Sequence, residues 1–222
     1  MTDLNSRLLE VARAPMLLVG CDLDGTLAPI QADFATVRPE ADAVAALQAL
    51  AGMPRTHVAV ISGRTRRDLA ALLGSPAGVT LVGEHGAEWE DGGVLDETSG
   101  ALLLRVIAEL DRISAATPGS VVERKATGAA FHFRRATTED AVRAVAEVER
   151  GPGSWPGVWS RPGKMLLELS VVEGGKGRAV EALRKRTGAD AVVFIGDDVT
   201  DEEAFASLRP PDLGVKVGPG ST

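Results

Sequence analysis

Short unbroken apolar runs alternate with amphipathic stretches through the first third of the chain. Residues 16–22, MLLVGCD, read as a strand buried on both faces, the kind a parallel sheet requires. A helix follows, with Pro39 in its first turn, Leu50 near its end and Gly52 just beyond. Residues 56–61, THVAVI, predict a second buried strand, 65–73 a helix stopped by Gly74, and 79–82 a third short strand. This β-α-β-α-β rhythm predicts an α/β sheet with right-handed crossovers.

After Gly86 the pattern changes. Glu90-Asp91-Gly92-Gly93 reads as a hairpin turn. A helix over 99–116 ends at Pro118-Gly119. Alternating strands follow over 120–125 and 129–135, joined across Thr127-Gly128. A second helix covers 138–150, and a further strand pair, 158–161 and 165–170, flanks Pro162-Gly163. The α/β rhythm then resumes with a helix at 177–186, a buried strand at 191–195, a helix at 200–208 and a short strand at 213–217. The expected fold is an α/β parallel-sheet core of residues 1–86 and 171–222, interrupted by an α+β unit of residues 87–170.

Composition narrows the function. Aromatics make up 4% of 222 residues and Tyr is absent, which argues against a stacking groove for single-stranded nucleic acid. A net charge of −7 makes a poor binder of phosphate backbones, so no nucleic-acid partner is expected. One Cys excludes a disulfide framework and a Cys-rich zinc site. Any metal should therefore be a hard cation on carboxylates, such as Mg²⁺. No apolar stretch is long enough to span a bilayer, and the polar N-terminus has no signal-peptide pattern, so no membrane partner and a cytoplasmic location are expected.

Four motifs lie at the carboxyl ends of predicted core strands or just beyond, where ligands bind in open α/β sheets. Asp22-Leu23-Asp24-Gly25-Thr26 sends two carboxylates out of a buried strand together, and unpaired buried carboxylates call for a cation or a reaction. Ser62-Gly63-Arg64 offers a hydroxyl and main-chain N–H groups to an anion, although Ser62 or Thr65 capping the next helix accounts for the same residues. Glu173-Gly174-Gly175-Lys176-Gly177 lets one ammonium project from a glycine loop. Gly196-Asp197-Asp198-Val199-Thr200-Asp201-Glu202-Glu203 holds more acids than the helix cap that Asp198 or Thr200 would supply. Together they form an anionic metal cup (Asp22, Asp24, Asp197) facing a phosphate clamp (Lys176, Ser62). Both signs in one site suit phosphoryl transfer, in which one carboxylate attacks and another moves protons.

These motifs, in this order, resemble those of the haloacid dehalogenase superfamily of phosphatases. The resemblance implies a Rossmann-like core with an inserted cap domain. It makes Asp22 the nucleophile that becomes an aspartyl phosphate and Asp24 the acid/base. Ser62 and Lys176 would hold the phosphoryl group. Mg²⁺ would sit on Asp22, the Asp24 carbonyl and Asp197, with Asp198 a further candidate ligand. Within the superfamily the chain is most similar to the trehalose-6-phosphate phosphatase family. That similarity rests on Ile61-Ser62-Gly63-Arg64, Gly83-Glu84-His85-Gly86-Ala87-Glu88 and Gly196-Asp197-Asp198-Val199-Thr200-Asp201-Glu202. In the cap it rests on Glu123-Arg124-Lys125, His132-Phe133-Arg134 and Gly163-Lys164-Met165-Leu166-Leu167-Glu168.

The family resemblance implies hydrolysis of a small-molecule sugar phosphate, trehalose 6-phosphate first. Lys125, Lys164 and Glu168 would meet sugar hydroxyls, Arg64 the phosphate or the sugar beside it, and His85 the substrate. Alternation places Lys164, Leu166 and Glu168 on one strand face. A pseudo-disaccharide phosphate as substrate, a phosphomutase and a non-catalytic sugar-phosphate sensor stay open, and the oligomeric state is not legible.

Overall fold

The structure, a computed structural model, describes residues 3–31, 36–91 and 95–218. In chain order its elements are α1 (Leu4–Val11), β1 (Leu17–Cys21), α2 (Ala41–Ala51), β2 (Thr56–Ile61), α3 (Arg66–Leu73), β3 (Val79–Val82), α4 (Glu97–Ala115), β4 (Val121–Arg124) and β5 (Gly128–His132). Then follow α5 (Thr138–Arg150), β6 (Trp159–Gly163), β7 (Leu166–Ser170), α6 (Lys176–Thr187), β8 (Ala191–Gly196), α7 (Val199–Ala206) and β9 (Leu213–Lys216). The chain divides into two compact units, Met1–Glu90 with Gly174–Thr222, and Asp91–Glu173. The turn expected at Glu90-Asp91-Gly92-Gly93 falls partly outside the described residues.

The first unit is a five-stranded parallel sheet in the order β3-β2-β1-β8-β9. Its strands read as continuous apolar runs because both faces are covered. Val58 and Val60 pack with Leu47, Leu69 and Leu73 on one side. Ala59 and Ile61 pack with Val180, Leu183 and Phe194 on the other. Local signals set the helix ends: the Thr65 hydroxyl accepts the Asp68 N–H to start α3, and Gly74, at φ 72°, stops it. Register matters most for function. Cys21 lies level with Val60 of β2 and Ile195 of β8, so the residues that follow these strands leave the sheet along one edge.

The second unit carries an antiparallel sheet in the order β4-β5-β7-β6. One face is apolar: Val122, Ala129, Phe131, Leu167 and Leu169 pack against α4 and α5 through Val106, Leu110, Ile113, Ala144 and Val148. On the other face the register aligns Glu123, Ala130, Glu168 and Arg161 in a row across all four strands. The expected β6–β7 turn at Pro162-Gly163 sits two residues later, at Lys164-Met165, with Met165 in the left-handed region at φ 65°. Pro162 is tolerated inside β6 because β6 is an edge strand. Lys164 is therefore a turn residue and shares no strand face with Leu166 and Glu168.

Candidate active site

The site grows from the end of β1. Asp22 is only 5% exposed; its Oδ1 accepts the Leu23 N–H at 2.6 Å and its Oδ2 lies 2.9 Å from the Lys176 ammonium. Burial pushes its pKa up to about 7; the negative Asp201 adds to the rise, while Lys176 and the Leu23 N–H pull the other way. The neighbouring Cys21 points into the sheet packing, and burial first, then Asp22, raises its thiol well above the usual range. It is an inert core residue. Gly25, at φ 90°, lets the chain turn hard against Asp197, since a Cβ there would stand 2.0 Å from Asp197 Oδ2.

Asp197 follows β8, with Oδ1 3.3 Å from the Thr26 hydroxyl. Burial and the nearby Asp201 raise its pKa. Lys176 opens α6 and is 1% exposed. Burial works against its charge, but Asp22 and Asp201, the latter at 2.7 Å, outweigh that and hold the ammonium protonated. Asp201 is fully buried, and its Oδ2 also accepts the N–H groups of Asp197 and Asp198, each at 3.0 Å.

Asp22, Asp197 and Asp201 each offer an oxygen within 4.8 Å of the others, an arrangement that could hold a metal ion. Three carboxylates beside one ammonium leave negative charge uncompensated, and a hard divalent cation fits that deficit. Asp198, a candidate ligand from the sequence, does a different job. Its carboxylate accepts the Val199 N–H at 2.6 Å and forms a capping box with Asp201 at the start of α7. Helix phase explains the difference: the third helical residue turns inward and the cap residue does not. Asp201 is the residue the sequence reading did not single out. Its signal was there, in the Asp-x-x-Asp spacing of a capping box.

Ser62, after β2, is 2% exposed, and its hydroxyl accepts the Arg64 N–H at 3.3 Å. Arg64 does not reach outward as expected. Its side chain is 4% exposed, and Nε and Nη2 each donate at 2.7 Å to the two oxygens of Asp24, a bidentate charge-assisted pair. Such a fork fixes the direction of the Asp24 carboxylate. His85 lies in a single 3₁₀ turn, Glu84–Gly86, in which Glu84 and His85 both hold positive φ, 49° and 54°. Each such residue costs about 1–2 kcal/mol.

On the polar face of the second unit, Lys125 and Glu168 pair at 2.5 Å and Glu123 pairs with His132 at 2.8 Å. The His132 hydrogen bond pulls the Glu123 pKa down against partial burial. Lys164 contributes its carbonyl to Arg134 Nη2, at 3.4 Å. Arg161, opposite Glu168, extends this polar row and was not among the expected sugar contacts.

Among the described residues, no helix is long and apolar enough to cross a membrane. The structure of the C-terminal domain of trehalose-6-phosphate phosphatase from C. albicans superposes with a TM-score of 0.74 at 25% identity, covering 91% of this chain and 77% of that one. Over 209 residues the chain is 38% identical to the trehalose-phosphate phosphatase of Mycobacterium avium (strain 104), which takes in 88% of this chain and 52% of that protein. Over 210 residues it is 34% identical to the trehalose-6-phosphate phosphatase of Escherichia coli (strain K12), covering 90% and 77% respectively. The chain thus spans about half the length of its mycobacterial relative. The model of the family described as trehalose-phosphatase matches residues 21–221 and so takes in every carboxylate, hydroxyl and ammonium described above. With a parallel-sheet phosphatase core, an inserted α+β unit and relatives at this level of identity, the chain belongs to the trehalose-phosphatase family.

Proposed function

We propose that this chain hydrolyses a sugar phosphate, trehalose 6-phosphate in the first place, to the free sugar and inorganic phosphate through an aspartyl-phosphate intermediate. The observation that carries this reading is the environment of Asp22: a carboxylate at a strand end, held between a buried ammonium and two further carboxylates. An Asp22 oxygen attacks phosphorus, and the bond from phosphorus to the sugar oxygen breaks. Asp24 enters the cycle protonated, with one oxygen released from the two-pronged Arg64 grip, and gives that proton to the departing oxygen. It then takes a proton from the water that attacks the aspartyl phosphate, which frees phosphate and restores Asp22. Ser62 and Lys176 hold the phosphoryl oxygens.

A bound Mg²⁺ would neutralise charge on the phosphoryl oxygens. Asp22, Asp197 and the main-chain carbonyl of Asp24 would hold it. Asp201 supports them from behind, because its oxygens already serve Lys176 and two main-chain N–H groups. Lys125, Lys164 and Glu168 bind the sugar hydroxyls, so that the Asp91–Glu173 unit chooses the substrate and the other unit does the chemistry. The same reading puts the reaction in the cytoplasm, and a phosphorylated sugar, being charged, would not leave that compartment unaided. The test is release of inorganic phosphate from trehalose 6-phosphate with Mg²⁺. Asp22→Asn abolishes it without unfolding the protein, and excess chelator does the same. Full activity of either preparation refutes the mechanism.

A further inference from the structure

The Glu84–Gly86 turn has no chemical task in the reaction proposed above, yet its main chain is unusually constrained. Glu84, His85 and Gly86 lie successively in the left-handed region, at φ 49°, 54° and 103°. A turn of that shape is retained only where the surroundings demand it. Here the demand is visible on both sides. Toward β2 and α3, the Glu84 N–H donates to the Arg64 carbonyl at 2.9 Å and the His85 N–H to the Ser62 carbonyl at 2.8 Å. Toward α6, the His85 carbonyl accepts the Gly175 N–H at 2.7 Å, one residue before Lys176. Packing is equally close. A Cβ on Gly63 would stand 2.4 Å from His85 Nε2, and one on Gly86 would stand 2.8 Å from the Gly175 carbonyl oxygen. The base of the turn is closed by Gly83 and Glu88, which exchange main-chain bonds at 2.9 and 3.1 Å, while the Glu88 carboxylate accepts the Arg66 N–H at 2.6 Å.

We infer that this turn is a strut that sets the separation between Ser62 and Lys176, and that His85 is a positioning residue acting through its main chain. The inference rests on the reading of Ser62 and Lys176 as the groups that hold the phosphoryl group. Those two residues leave different elements, the end of β2 and the start of α6, and the turn bolts the one loop to the other. A displacement near 1 Å between groups that clamp one phosphoryl costs on the order of a hundredfold in rate.

The experiment measures kcat and KM with Mg²⁺ on trehalose 6-phosphate and on p-nitrophenyl phosphate, together with inhibition by inorganic phosphate. Gly86→Ala and His85→Val both oppose the left-handed turn. Each loses about 10- to 100-fold in kcat/KM, by the same factor on both substrates, and inorganic phosphate inhibits each more weakly. His85→Asn regains most of what His85→Val loses, because Asn accepts positive φ and a β-branched residue does not. An Asn variant as damaged as the Val variant assigns the work to the imidazole and overturns the strut. An active wild type with unaffected Gly86→Ala and His85→Val overturns the strut alone, whereas a wild type inactive on both substrates overturns the phosphatase reading and the strut with it. Should Gly86→Ala not fold, Gly63→Ala probes the turn through its other contact, the one between the loop after β2 and the His85 ring. Adding His85→Gly removes the ring it strikes and restores activity; failure to restore it counts against the strut.

Discussion

Asp201→Asn changes one atom in the most enclosed part of the site. The carboxylate serves three donors: the Lys176 ammonium at 2.7 Å through one oxygen, and the N–H groups of Asp197 and Asp198 at 3.0 Å through the other. An amide has one accepting oxygen. Facing the main chain, it turns its NH₂ toward the ammonium; facing the ammonium, it turns the NH₂ toward two N–H groups. Either way a buried donor loses its partner, which costs about 1–3 kcal/mol. Breaking a buried ion pair outright costs about 3–5 kcal/mol, but Lys176 keeps Asp22 at 2.9 Å, so the total falls near ~3 kcal/mol. For a chain of this size that lowers Tm by roughly 6–12 °C. Asp198→Ala, which removes a helix cap from a solvent-facing position, costs about 1 kcal/mol and a correspondingly smaller shift. Thermal melting of both variants and wild type in chelator provides the comparison. An Asn variant that melts within a degree or two of wild type, or above the Asp198 variant, refutes the assignment of Asp201 as the buried hub.

Metal affinity should depend on pH through Asp22. Its folded pKa of about 7 lies above the usual carboxylate value of about 4, so the metal-free fold keeps a proton that the unfolded chain gives up. That contribution to stability is fully present below about pH 4 and is lost as the pH rises through about 7. A metal needs the ionised form, so apparent Mg²⁺ affinity at pH 6 is about tenfold below its plateau above pH 7, with proton release on binding; titration calorimetry in two buffers of different ionisation enthalpy checks both. Arg64→Lys replaces a two-pronged grip on Asp24 with a single contact. It should cost on the order of tenfold in kcat on trehalose 6-phosphate, a loss of about 1.4 kcal/mol; with p-nitrophenyl phosphate, whose leaving group needs no proton, the first turnover should be spared while hydrolysis of the aspartyl phosphate slows, and a first turnover slowed as much would count against an acid role for Asp24. Glu168→Ala should lower kcat/KM for trehalose 6-phosphate by roughly 5- to 150-fold while sparing p-nitrophenyl phosphate, and parallel losses on both would remove the second unit from substrate choice.

The parallel core was legible because strands covered on both faces leave a signature that survives without any tertiary information. The ranges 56–61 and 79–82 predicted from apolar runs coincide with β2 and β3. Asp22, Ser62 and Asp197 were legible for a related reason: each polar residue follows directly on such a run. What could not be read is which acid in a dense cluster turns inward. Asp197, Asp198, Asp201, Glu202 and Glu203 differ only in helical phase, and that phase depends on where α7 starts. The resemblance likewise directs Arg64 to the phosphate or the sugar beside it, and what the sequence did not reveal is that the fold supplies Asp24 as an internal partner from a loop 40 positions away. At Lys164 the cue was misleading. Pro162-Gly163 looks like a turn, but an edge strand accepts proline, and the reversal moved to Lys164-Met165.

The enclosure of Lys176 has a practical side. Acylating reagents and acetyl donors attack neutral amines they can reach. Lys176 is sealed from solvent and kept charged by two acids, so it is protected twice over. Lys164 and Lys185 stand exposed and Lys216 half-exposed, and these will react first. Covalent attachment of the protein to a support, or a fluorescent tag placed through its amines, should therefore spare the reacting centre and load Lys185 and Lys216, with Lys125, shielded by Glu168, slower to react, while modification of Lys164 would weaken the sugar binding proposed for it.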